Sequence, residues 1–192
     1  MSALGEILSD PRLWQAVIAG AFVAAGWIVN GAQNRRAADR LRRERLRDVH
    51  RALYAEIKHN LANLDSAAAL TEFATPVLQR IVEDDFVPFV PRERNDAVFR
   101  TVLPEIHVLP RVTIDPVIRY YSQLAAHDAL VEDMRGDSFK VMEAERRAAI
   151  YADLIAIKIA LVSYGEEATD VIAAYAEGGK PAARAAQRGR DQ

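Results

Sequence analysis

At 192 residues the chain has room for one domain of ordinary size with appendages. Its 51% apolar and 27% charged residues exclude a chain disordered throughout, and the lack of cysteine excludes disulfides, thiolate zinc sites and cysteine nucleophiles. The net charge of −2 hides strong segregation: residues 1–33 carry −1, eight arginines against three acids put residues 34–51 at +5, and the stretch from Ala52 onward carries −6.

Ser9-Asp10-Pro11 reads as a helix start, with Asp10 able to cap open amides and Pro11 at a first-turn position that needs no donor. Leu13 to Val29 then runs without a charge, broken in polarity only by Gln15. Those 17 residues reach the lower limit for crossing a hydrocarbon core about 30 Å thick at about 1.5 Å per residue. Trp14 and Trp27 stand near its ends, where indole rings prefer the membrane interface. The acidic start and the poor cleavage context at Asn30-Gly31-Ala32 argue against a cleaved signal peptide. The expectation is a transmembrane helix over 13–33, after a short outward-facing N-terminus of residues 1–12.

Positive charge close to a span stays on the cytoplasmic side. The arginine run (Arg35, Arg36, Arg40, Arg42, Arg43, Arg45, Arg47 and Arg51) follows the apolar stretch, so the chain beyond it is expected in the cytoplasm and the protein in the inner membrane as a single-pass chain. Trp14, Trp27, Arg35, Arg36, Arg40, Arg42 and Arg43 form the expected membrane interface, with the arginines drawing anionic headgroups. The arginines lack interleaved aromatics and are tethered at the bilayer, so no nucleic-acid partner is expected. Within the span Ala16, Gly20 and Ala24 recur every four residues, a small-residue face on which two helices can approach.

From Arg35 to about Leu70 the pattern stays helical. Leu46, Val49, Leu53, Ile57, Leu61 and Leu64 form one stripe at spacings of three and four, with His50 and Asn60 beside it. Residues 34–70 therefore read as a basic amphipathic stalk. Leu53, Ile57, Asn60, Leu61 and Leu64, with Ala16, Gly20 and Ala24, are the candidate self-association set, Asn60 as a register-setting polar residue.

Residues 71–179 read as a helical domain packing with the stalk. A turn or short helix is predicted over Phe73–Glu83 and a helix over Pro91–Leu103, with an irregular connector between Pro104 and Pro110. A further helix should start at Asp115-Pro116, burying Val117, Tyr121, Leu124 and Val131 and leaving Tyr120 partly exposed beside Arg119. The next runs from Asp137 or Ser138 to Tyr164 and stops at Gly165; its half Leu154–Val162 is apolar nearly all round, as a central core helix is. Asp153 and Lys158 count against a second span there, at about 2.5–3.5 kcal/mol each at a helix centre. Glu166–Ala176 makes a last short helix, and the tail 180–192 is expected to be disordered.

Glu56 and His59 share the Glu-x-x-His spacing of helical di-iron sites, but such sites need two copies plus two more carboxylates, and one copy is present on a face that should be solvated. The sequence holds no nucleophile elbow and neither common phosphate loop. The expectation is an all-α protein with no catalytic residue, metal or cofactor: a membrane-anchored interaction or scaffold protein that self-associates or docks a protein partner. The alternative is an accessory subunit of a channel or transporter acting through its span, and an enzyme with an unrecognised site stands third.

Overall fold

The computed structural model describes residues 11–93 and 95–190, with the side chains at 11–14, 16, 17 and 19 outside that description. Every regular element among the described residues is helical: α1 Pro11–Ala62, α2 Ala67–Glu83, α3 Ala97–Val102, a 3-10 turn Leu103–Val108, α4 Arg111–Arg135, α5 Asp137–Lys140 and α6 Ala144–Arg190. The chain divides into two compact units between Arg45 and Leu46. The part of α1 from Leu46 to Ala62 belongs to the second unit.

The second unit is built around α4 and α6, which run beside each other through two apolar clusters. One gathers Val49, Leu53 and Ile57 of α1 with Val117, Tyr120, Tyr121 and Leu124 of α4 and Leu161, Ala168 and Ile172 of α6. The other gathers Leu70, Ala74 and Ile81 of α2 with Val131 and Met134 of α4, Phe139 of α5, and Tyr151, Leu154 and Ile155 of α6. Each fully buried side chain of this size stabilises the fold by about 1.5–3 kcal/mol.

Local chemistry sets the element ends. Ser66 caps α2 by accepting from the Ala69 amide at 3.2 Å. The predicted start at Phe73 was therefore six residues late, and Pro76 lies inside the helix. The predicted helix over Pro91–Leu103 is confined to Ala97–Val102, and the connector after it is an ordered 3-10 turn. Helix α4 begins at Arg111 behind Pro110, not at Asp115. Pro116 falls in its second turn, and having no amide it leaves the Val112 carbonyl without the usual helical partner. Gln187 fills that vacancy, its Nε2 donating to Val112 O at 3.1 Å.

Gly165 does not stop α6. A Cβ there would meet Leu61 Cδ2 at 2.8 Å and Tyr120 Cε2 at 3.1 Å, so the residue is glycine because α1 and α4 press against it. The break comes at Gly179, whose φ of 66° suits glycine. After it the chain doubles back: Arg190 reaches Asp170 at 2.7 Å and the Ser163 carbonyl at 3.3 Å, and Ala183 is fully buried. The tail expected to be disordered is thus helical through Arg190, held by the buried Ala183 methyl, the Gln187 amide and the contacts of Arg190 with Asp170, Glu166 and the Ser163 carbonyl.

Arg147 is buried, and its guanidinium binds the Asp85 carboxylate and the carbonyls of Asp85, Lys140 and Met142. It ties the loop after α2 to the connection between α5 and α6. Among the described residues one helix, Ala144–Arg190, is long and apolar enough to cross a membrane by length and composition. That property was expected over 13–33 instead.

Candidate functional site

In the first unit, α1 carries large apolar side chains that touch little protein. Ile18, Phe22, Val23, Trp27, Ile28 and Val29 are 53–79% exposed. At about 100° per residue these six positions point to all sides of the helix rather than to one stripe. A helix that is apolar all round is ordinarily enclosed, by a large core or by lipid. Gly20 and Gly26 have open space where a Cβ would stand. Ala24 is exposed, while the side chains of Trp14 and Ala16 lie outside the described residues.

Arg35, Arg36, Arg40, Arg42 and Arg43 follow on the same helix, all exposed. None forms an ion pair among the described residues, and Arg43 donates to the Asp39 carbonyl at 3.2 Å. The Arg35 guanidinium lies back over Gly31, 3.7 Å from the position of a Cβ. That direction follows the tilt of helical side chains toward the N-terminus and sets the charge close to the end of the apolar stretch.

The candidate self-association stripe is occupied by the chain itself. Leu53 and Ile57 are fully buried against α4 and α6. Leu61 and Leu64 pack on the same cluster, and Asn60 donates through Nδ2 to the Asn95 carbonyl at 2.7 Å. Asn60 thus fixes the strand of chain leading into α3 rather than a second copy. Burial removes Leu53, Ile57 and Asn60 from any surface that another chain could reach. The expected exposure of Tyr120 is likewise corrected: both Tyr120 and Tyr121 are buried, because α4 is enclosed from two sides.

Glu56 and His59 do not act together. Glu56 accepts from the amides of Val98 at 2.6 Å and Phe99 at 3.0 Å, which open α3, and from the Tyr121 hydroxyl at 2.6 Å. The Phe99 and Tyr121 rings stack at 3.8 Å over this junction. Burial and the bond to Glu56 push the Tyr121 hydroxyl well above the ordinary phenol range, and burial pushes Tyr120 up to about 12. His59 is exposed and reaches only Asn63 Nδ2 at 3.4 Å. Among the described residues no three His, Asp or Glu side chains gather as a metal site would need.

His50 is the one buried histidine with a long-range partner, its Nε2 lying 2.9 Å from Thr113 Oγ1. The Thr113 hydroxyl donates its single proton to the Pro110 carbonyl at 3.1 Å, so it accepts from His50 Nε2–H. Burial lowers the imidazole pKa to about 4. The sequence placed His50 beside the stripe but carried no signal for its partner, which lies 63 residues away.

A shallow groove of about 310 Å³ runs between α3 and α4, walled by Phe99, Leu103, Tyr121 and Leu124. Its charged rim residues, Asp96 and Arg100, pair with each other at 2.5 Å. No protein-family model, curated protein or solved structure matches the chain.

Proposed function

We propose that the chain is a single-span, membrane-tethered interaction protein. In this reading residues 13–33 sit in lipid and residues 1–12 face outward. Arg35, Arg36, Arg40, Arg42 and Arg43 lie against anionic headgroups at the cytoplasmic face of the inner membrane. The helical unit from Leu46 onward docks a protein partner or a second copy there, by binding rather than catalysis.

The observation that carries the reading is the set of six exposed apolar side chains between Ile18 and Val29, distributed around the helix. The other span-length helix, Ala144–Arg190, argues the opposite way. None of the large apolar side chains exposed to solvent belongs to it. Its Tyr151, Leu154, Ile155, Leu161, Val171 and Ile172 are buried in the bundle, and Asp153 and Lys158 would have to enter hydrocarbon if its apolar half crossed a bilayer. Lipid is therefore the solvent expected for the first segment and protein for the second.

Membrane fractionation tests this directly. The unfused chain should stay in the pellet through an alkaline carbonate wash and leave it only in detergent. Placing arginine at both Phe22 and Val23 adds about 5–7 kcal/mol to insertion on the scale for helix-centre charges and should move the chain to the supernatant. Recovery of the unaltered chain in the detergent-free supernatant would refute the tether.

A further inference from the structure

The second unit is electrically lopsided. It carries 18 basic against 23 acidic side chains, net −5. Six of the cations collect at the end where the chain enters the unit at Leu46. The packing around His50 defines that end: His50 meets Thr113 at 2.9 Å and the edge of the Tyr175 ring at 5.2 Å, and Gln187 holds the neighbouring Val112 carbonyl at 3.1 Å. Arg47 and Arg51 lie within one turn of His50, Arg111 adjoins Val112, and Lys180, Arg184 and Arg188 recur every four residues along the segment that carries Gln187. All six are exposed, and none forms an ion pair among the described residues. Three exposed acids share this end, Asp48, Asp115 and Glu177, against the six cations, while Asp170 and Glu166, further along α6, are engaged by Arg190.

We propose that this basic end is a second lipid-binding face, which seats the helical unit on the anionic surface of the bilayer that holds the chain. The proposal rests on the tethered reading. It goes beyond the arginine run before Leu46, because three of its six cations come from the segment after Gly179 and a fourth from the start of α4. Opposite charge at the two ends gives the unit a preferred orientation in a negative surface potential, basic end toward the headgroups and acidic remainder away. The entry point at Leu46 is 17 residues beyond Val29, at most about 25 Å along a helix, which keeps the basic end near the bilayer that holds the chain. Lipid is favoured over nucleic acid because this end presents cations without exposed aromatic rings for bases to stack on. The return of the chain at Gly179 acquires a role in this account: it carries Lys180, Arg184 and Arg188 back beside Arg111, Arg47 and Arg51.

The absence of cysteine makes the test clean. The full chain with Ala185→Cys, labelled with a fluorophore, is reconstituted into vesicles holding a headgroup-attached nitroxide lipid. The same is done with Val141→Cys, at a position 83% exposed and distant in sequence from the basic end. Strong quenching at 185 but not at 141 is expected in vesicles containing phosphatidylglycerol. It should disappear in phosphatidylcholine alone, and in salt high enough to shrink the screening length to about 3 Å. Each charge near the surface contributes about a fivefold factor, so the neutral triple variant K180Q/R184Q/R188Q should lower the seated population about a hundredfold. Quenching at 185 that ignores lipid charge and salt would overturn the proposal. So would equal quenching at both positions, or capture of duplex DNA by phosphatidylcholine vesicles carrying the full chain but not by those carrying the triple variant, which would assign the face to nucleic acid. Loss of the whole chain from the vesicles in a carbonate wash would instead mark failure of the tether.

Discussion

Replacing His50 with glutamine should remove the acid sensitivity that this site gives the helical unit. The imidazole is neutral in the folded protein, with a pKa lowered to about 4 against 6.5 for an exposed histidine, because protonation would place a charge among Val49, Thr113 and Tyr175. The unfolded chain takes up the proton first. Stability from this site is therefore complete above about pH 6.5, falls as the pH drops below it, and levels off below about pH 4. The linkage relation puts the loss at about 2 kcal/mol by pH 5 and about 3 kcal/mol by pH 4. For a unit of this size that is a fall of roughly 5–10 °C in melting temperature. Glutamine keeps an amide donor toward Thr113 Oγ1 and does not titrate. Thermal unfolding of both proteins in nonionic detergent, followed by tyrosine circular dichroism from pH 7.5 to 4, measures the difference. Between pH 7.5 and 4 the wild-type melting temperature should fall relative to that of the variant by the amount above. A gap that stays constant over this range would show that the imidazole is not enclosed as described.

Leu53→Ala, at a fully buried position between α4 and α6, should destabilise the unit by about 2–5 kcal/mol in denaturant titrations. Gly165→Leu should be worse tolerated than Gly178→Leu, because the first drives a side chain into Leu61 and Tyr120 while the second meets only the Ala182 methyl; comparative melting curves decide this. Glu56→Gln weakens the charged cap on the Val98 and Phe99 amides and its bond to Tyr121, and should cost about 1–3 kcal/mol. The signature should be faster amide hydrogen exchange at residues 98–102, with α6 unchanged. Gln187→Ala should strip the Val112 carbonyl of its donor at a cost of about 1 kcal/mol and raise proteolysis within residues 180–190.

Periodicity made much of the bundle readable in advance. Leu46 through Leu64 keep the helical spacing, and the residues at its centre, Leu53 and Ile57, are those the fold buries most completely. The same signal could not say whose helices would cover them, so an intramolecular core was read as a surface for a second copy. Gly165 misled because glycine serves two purposes, ending helices and admitting close neighbours, and only the contact with Leu61 and Tyr120 separates them. The tail misled for a related reason. Its Ala, Arg and Gln composition resembles a solvated end, and its order depends on Gly179 turning it back onto Asp170 and Val112, which no local pattern records. Tyr120 was misplaced because a single stripe was assumed for α4, where two neighbours bury two faces. The apolar character of residues 18–29 needed no partner to be recognised, which is why that segment carries the functional account.

The two tryptophans of the chain, Trp14 and Trp27, both lie in the segment proposed to be in lipid, so intrinsic fluorescence reports on it alone. Reconstituted into vesicles whose acyl chains carry bromine, the protein should show blue-shifted tryptophan emission that is strongly quenched relative to unbrominated lipid. Emission that is indifferent to bromine would mean that protein, not hydrocarbon, surrounds these indoles, and the tethered account would fail.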